Sequence, residues 1–202
     1  MHIELDPAYI PKKFEDKIYK KWEKSGSFIP KEILHDKISL ANKSFAKAKH
    51  LLPRQKTFTI SMPPPNATGI LHLGHATMLA LEDIMIRHHR MLGDLTLWIP
   101  GTDHAGIATQ SVVEKNLQNE GIANPRKKLG REKLLKKIKD FVENSKDQIR
   151  NQIRKKGASC DWTREKYTLD DDMNMAVNIF FKRMYEDGLI YRGGRIVNLD
   201  PK

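Results

Sequence analysis

The sequence predicts an α/β protein organised around a parallel sheet, and three observations carry that expectation. Two apolar stretches, Thr57 to Pro65 and Leu95 to Ile99, have strand character. Each runs into a polar, glycine-bearing loop, and each loop opens onto a helical pattern. Strand, helix, strand, helix with polar loops after both strands is the grammar of a parallel sheet. Ligands of such sheets bind beyond the carboxyl ends of the strands, where both loops fall.

The elements follow in order. Phe14, Ile18 and Trp22 recur every four residues, so Pro11 to Lys24 reads as an amphipathic helix with proline in its first turn, and the stripe is expected in the core. Residues 25–56 are lysine-rich, carry Gly26, Pro30 and Pro53, and read as a partly helical surface insertion without chemistry of its own. The first strand ends at Pro63-Pro64-Pro65, and Asn66-Ala67-Thr68-Gly69 turns the chain. Leu73 to Met91 is helical and is ended by Gly93. After the second strand come Gly101-Thr102-Asp103-His104-Ala105-Gly106 and a helix over Ile107 to Asn119, closed by Gly121.

Between Arg126 and Lys156 there are thirteen Lys or Arg against four Asp or Glu, a net +9 of the chain's +11. Such a face attracts polyanions, nucleic acid among them. Leu134, Leu135, Ile138, Phe141, Val142, Ile149 and Ile153 equally describe a long amphipathic helix whose lysines only solvate its outer side. Met175, Ile179, Phe180 and Met184 place a helix over Asp171 to Glu186, with acidic residues at its positive end. Leu189 to Tyr191 and Arg195 to Val197 flank Arg192-Gly193-Gly194 and predict a hairpin. Across the 202 residues no apolar run reaches membrane-spanning length, the first residues lack a signal-peptide apolar region, and the lone Cys160 offers packing rather than a disulfide or zinc site.

The most informative run is His72-Leu73-Gly74-His75 at the start of the Leu73 helix. A helix N-terminus presents unpaired N–H groups and positive dipole, a ready site for phosphate, and two imidazoles add directed donors. Gly74 would let a nucleotide lie close to the backbone. A histidine pair in a first turn can also simply cap backbone groups or pack against its neighbours. Asp103 likewise can hold an ammonium group or cap the helix that follows it.

Pro63 to Ala76 (PPPNATGILHLGHA) resembles the first signature of the class I aminoacyl-tRNA synthetases, and Gly101 to Gln110 (GTDHAGIATQ) resembles a following block in the wording of the valine-specific branch. Leu129-Gly130-Arg131-Glu132, Gly157-Ala158-Ser159-Cys160-Asp161-Trp162 and Leu189-Ile190-Tyr191-Arg192-Gly193 fit the same family in the same order, so the resemblance runs from about Tyr9 onward. It implies the N-terminal half of a Rossmann-type (HUP-like) nucleotide-binding domain: residues 1–56 as an N-terminal helix plus insertion, 57–188 as the first half of the catalytic domain, and 189–202 as a hairpin leading to an editing domain.

The implied chemistry is ATP-dependent activation of L-valine and its transfer to tRNA(Val), with Mg2+ accompanying ATP, in a cytoplasmic enzyme that is monomeric at full length. The resemblance carries His72 and His75 over as the catalytic donors and Thr68, Gly69, His72, Gly74 and His75 as the ATP site. Pro63, Asn66 and Asp103 become the amino-acid site, with no protein-held metal. The second, lysine-bearing signature of the class has no match, Ser145-Lys146 being no substitute, and Leu199 and Asp200 stand where the family carries Trp and a metal-ligating Cys. The expectation is therefore a fragment inactive alone. A small nucleotidyltransferase with a His-x-Gly-His site and a non-catalytic basic RNA-binding fragment are the alternatives.

Overall fold

A computed structural model of the chain describes residues 8–30 and 56–198. Residues 31–55 of the lysine-rich insertion, and Leu199 and Asp200, lie outside the described residues. Thr57–Ser61 (β1) and Leu95–Ile99 (β2) pair in parallel, Thr57 opposite Leu95 through Ser61 opposite Ile99. The crossover is the helix Leu73–Met91 (α2), as predicted. The β-branched and aromatic residues of β2 suit a pleated strand, and its alternate residues Thr96 and Trp98 are buried. Gly93, at φ 83°, turns the chain out of α2 in a conformation that favours glycine.

Pairing between these two segments continues past β1 and then breaks for a chemical reason. Met62 N–H donates to Ile99 O at 3.0 Å, but Pro63, Pro64 and Pro65 have no N–H to give. Contact resumes at an isolated parallel bridge between Asn66 and Asp103, where Asp103 N–H donates to Pro65 O and Ala67 N–H to Asp103 O, both at 2.8 Å. Gly101–Thr102 (β3) instead pairs in parallel with Lys166–Tyr167 (β4). These two-residue strands give the sequence no periodicity to read, and they split the expected single sheet into two two-stranded pieces.

Pro11–Lys24 (α1) forms with the predicted bounds but not the predicted face. Phe14, Ile18 and Trp22 are 43%, 42% and 39% exposed, whereas Tyr19 is buried. The helix is rotated because Tyr19 carries a hydroxyl that finds partners: it donates to Ala158 O at 2.7 Å and accepts from Trp162 Nε1 at 2.8 Å. Phe28 packs beside the Tyr19 ring, and Glu23 pairs with Arg154 at 3.1 Å.

Gly106–Asn119 (α3) packs on Pro125–Lys155 (α4) through Val113, Leu117 and Leu134. The basic stretch is helical as expected, with a break at Gly130 (φ 72°). Leu134, Val142, Ile149 and Ile153 face inward, but Leu135 is 39% exposed. The lysines at 133, 136, 137 and 139 are exposed, whereas Lys146 is buried, bonded to Glu143 and lying 4.4 Å over the Tyr167 ring. The main core joins α2, β2, α4 and the 158–160 segment through Leu79, Ile86, Trp98, Ile149, Ile153 and Cys160, and burial pushes the Cys160 thiol well up. Packing is thus the role Cys160 plays.

Asp171–Glu186 (α5) has the predicted bounds and acidic first turn, yet none of its residues is buried, and Phe180 and Phe181 stand above 60% exposed. The hairpin expected at 189–191 and 195–197 does not form: residues 189–198 carry no strand. Those residues are exposed almost throughout, so no apolar face drives two strands together. Among the described residues no helix is long and apolar enough to cross a membrane.

Candidate functional site

The prolines that end β1 and the first turn of α2 enclose a cleft of about 360 Å³. Pro63, Asn66, Thr68, His72 and His75 line it together with Ile70 and Met78. Gly69, Gly74 and Asp103 are not among its lining residues. Leu71 N–H donates to Gln152 Oε1 of α4 at 2.8 Å, which anchors the segment leading into the histidines.

His72 is the N-cap of α2. Its Nδ1 accepts from Gly74 N–H at 3.1 Å, and His75 Nδ1 accepts from His72 N–H at 3.3 Å, which completes a reciprocal capping box. The rings lie 3.9 Å apart, tilted by 39°. The capping alternative is therefore realised, and it also fixes the rings in place. An acceptor Nδ1 cannot carry the proton, so each neutral ring bears its hydrogen on Nε2. Both side chains then hold one free donor at a positive helix end that lines a cleft.

Gly74 has a local purpose beside the close nucleotide approach expected of it. A Cβ built there would meet His72 Cε1 at 2.9 Å, so glycine is what lets the ring fold over its own turn. Gly69 has open space at that position and no such requirement.

Desolvation, and secondarily the neighbouring His72, holds His75 below the ordinary histidine value of 6.5. Protonation would place hydrogen on Nδ1 and end its acceptance from the backbone. Since the folded value is lowered, this capping contribution is complete above pH 6.5 and is lost as pH falls through the depressed value. An NMR titration of the His75 Cε1 proton is expected to show a midpoint below 6.5; an ordinary or raised midpoint would contradict the capping geometry.

Asp103 does not cap α3. The N-cap is Ala105, at φ 41°, with no side-chain cap bond. The Asp103 carboxylate, 32% exposed, instead accepts from Thr168 Oγ1 at 2.9 Å and lies 3.4 Å from His104 Nδ1. Its backbone bridge to Asn66 joins it to the cleft wall. Thr168 and His104 were not legible as site residues, because the β3–β4 pairing that brings them together spans more than sixty residues. Among the described residues no group of three or more His, Cys, Asp or Glu could hold a metal ion.

The Gly157-Ala158-Ser159-Cys160-Asp161-Trp162 run acts away from the cleft. Asp83 of α2 accepts from Ser159 N and Oγ, Arg90 donates to Ser159 Oγ and O, and Arg87 donates to Gly157 O. Asp161 N–H adds a bond to Trp98 O at 2.9 Å. These contacts brace the helix whose N-terminus carries the histidines.

Comparison with known proteins shows the family. The family model described as tRNA synthetases class I (I, L, M and V) matches residues 17–202. The chain is 47% identical to a valine–tRNA ligase of Treponema denticola and to one of Clostridium acetobutylicum, each over 98% of this chain and 20% of the relative. It is 45% identical to a valine–tRNA ligase of Francisella tularensis over its whole length, again 20% of that protein. The chain thus spans about a fifth of the length of the curated relatives it matches. Among solved structures, the ternary complex of Agrobacterium radiobacter K84 agnB2 LeuRS with tRNA and LeuAMS superposes on 91% of this chain and 19% of its own, with a TM-score of 0.65 and 18% identity, a likeness of fold.

Proposed function

The chain belongs to the class I tRNA synthetases, and from that premise we propose that it supplies the ATP and amino-acid half-site of a valine–tRNA ligase. The observation that carries the proposal is the joining of the two imidazoles to the Pro63–Asn66 wall in one cleft. In this reading the valine carboxylate attacks the α-phosphate of ATP, pyrophosphate leaves, and the aminoacyl-adenylate acylates tRNA(Val). Negative charge gathers on phosphoryl oxygens in the transition state, and donors already fixed in place stabilise it without reorganisation. His72 and His75 fill that role through Nε2–H. Neither acts as a base, because the attacking carboxylate is already ionised at neutral pH.

Thr68, Gly69 and Gly74 complete the ATP contacts, Pro63 and Asn66 form the side-chain wall, and Asp103 binds the substrate ammonium. Mg2+ would enter with ATP as the counter-ion of its phosphates. The exposed lysines of α4 suit transfer RNA, and the whole enzyme is proposed as a cytoplasmic monomer. The proposed division is 1–56 for the helix and insertion, 57–188 for the first half of the catalytic domain, and 189–202 for the passage toward an editing domain.

A wall limited to apolar contact separates neighbouring side chains by only ~1–3 kcal/mol per methylene. Isothermal titration of this chain with non-hydrolysable valyl- and isoleucyl-adenylate analogues is therefore expected to favour the valyl compound by about ten- to a hundredfold. Equal affinity for both would remove the valine assignment, and no heat with either would remove the half-site.

A further inference from the structure

Thr168 sits at the meeting point of two chain segments that β3 and β4 bring side by side. Its backbone N–H donates to Thr102 O at 3.2 Å, which sets its side chain against the 103–104 turn. A threonine hydroxyl has one proton to give and two lone pairs to accept with. All three are used here. Oγ1 donates to Asp103 Oδ1 at 2.9 Å, accepts from His104 N–H at 2.9 Å, and lies 2.6 Å from His104 Nδ1.

The proton count decides the last contact. A carboxylate oxygen only accepts, so the single hydroxyl proton is committed to Asp103 and Nδ1 of His104 must be the donor. The neutral His104 ring therefore carries its hydrogen on Nδ1 and a lone pair on Nε2, the reverse of His72 and His75. Asp103 keeps Oδ2 free of hydrogen bonds among the described residues, on a side chain 32% exposed.

The turn is fixed from its other side as well. Thr109 Oγ1 donates to His104 O at 2.7 Å, and Ala105 holds a left-handed conformation, unusual for a residue with a Cβ. Such strain persists where surrounding contacts over-determine it. Fixed donors thus stand on α2 and a fixed pair of acceptors on the 103–104 turn, and the Asn66–Asp103 backbone bridge ties that turn to the wall of the cleft. That polarity fits a ligand with an anionic end and an ammonium end.

We infer that Thr168 is a positioning residue: its hydroxyl locks the Asp103 carboxylate and the His104 tautomer so that one acidic oxygen is presented to the ammonium group of the amino-acid substrate. The inference rests on the amino-acid site proposed above. A merely structural threonine would support the turn without affecting which ligand binds.

The test uses the full 202-residue chain with selectively ¹⁵N-labelled histidine, titrated separately with L-valine and ATP. The parent is expected to show His104 in the Nδ1–H tautomer. Thr168→Val is expected to abolish that signature and to weaken L-valine about tenfold, with ATP affinity unchanged within about twofold. Thr168→Ser, which keeps the hydroxyl, is expected to restore both.

Asp103→Ala separates the two levels of the argument. If it loses L-valine while Thr168→Val binds as the parent does, the positioning role is overturned and the ammonium site stands. If Asp103→Ala itself binds L-valine normally, the proposed amino-acid site fails and the inference with it. Should Thr168→Val not fold, Thr168→Ala and the parent tautomer decide: Nε2–H on the parent His104 overturns the proposal.

Discussion

Replacing His72 by Asn and His75 by Gln together is expected to remove ligand binding while leaving the fold intact. The substitutions follow from the cap the rings form and from the donor role proposed for them. Asn is among the best N-cap residues, and Gln at the third helical position completes a capping box, so both backbone N–H groups keep an acceptor. Neither amide reproduces the Nε2–H of an imidazole at its reach. Stability is expected to change by less than ~0.5 kcal/mol in urea unfolding, whereas His72→Ala, which removes the cap, is expected to cost ~0.5–2 kcal/mol. A hydrogen bond to a charged oxygen contributes ~1.5–3 kcal/mol, so losing two weakens a valyl-adenylate analogue roughly a hundredfold or more in isothermal titration. If the double variant binds as the parent does, the histidines only cap.

That experiment is needed because capping and phosphate binding use the same helix end and the same residue types. The His72–His75 spacing identified the end; it could not say which nitrogen faces the backbone, since tautomers follow from the hydrogen-bond partners of the folded chain. Elements with a strong local signal were legible. The period of α1, α2 and α5, the proline in the first turn of α1 and the β-branched residues of β2 each agree with their final state, and the parallel pairing follows from the crossover helix.

What stayed hidden depends on contacts between distant residues. The apolar period of α1 pointed to Phe14, Ile18 and Trp22, but the bond from Tyr19 to Ala158 rotates the helix, and the two are 139 positions apart. Thr168 reaches Asp103 across 65 positions through strands two residues long. The predicted hairpin failed for the complementary reason: turn residues at Arg192-Gly193-Gly194 permit a reversal, yet flanking residues without a surface to cover gain nothing from pairing. The open apolar face of α5 shows the same imbalance, with a sound helical pattern and no packing partner among the described residues.

The second large effect is expected at Asp83. Ser159 is 1% exposed, and both its N–H and its hydroxyl are bonded to Asp83 Oδ1. Asp83→Ala removes the acceptor and leaves buried donors without a partner, a loss of about 2–4 kcal/mol. The Arg87 pair at 2.7 Å adds little, because the Arg87 side chain is 42% exposed and water screens it. A chain of this length loses about 2–4 °C of melting temperature per kcal/mol, so a fall of roughly 10 °C is expected in calorimetry. Asp83→Asn separates the contributions: it keeps an oxygen for Ser159 and gives up the charge and the Oδ2 acceptor of the half-exposed Arg87, so its cost is expected to stay below ~1 kcal/mol. Equal losses in the two variants would mean that charge, rather than the bonds to Ser159, holds α2 to the 157–161 segment. The brace lies three helical turns from His72, about 16 Å along the axis, so a folded Asp83→Asn chain is expected to bind ligand as the parent does. Loss of binding in that variant would show that the tilt of α2, and not only its first turn, sets the position of the donors.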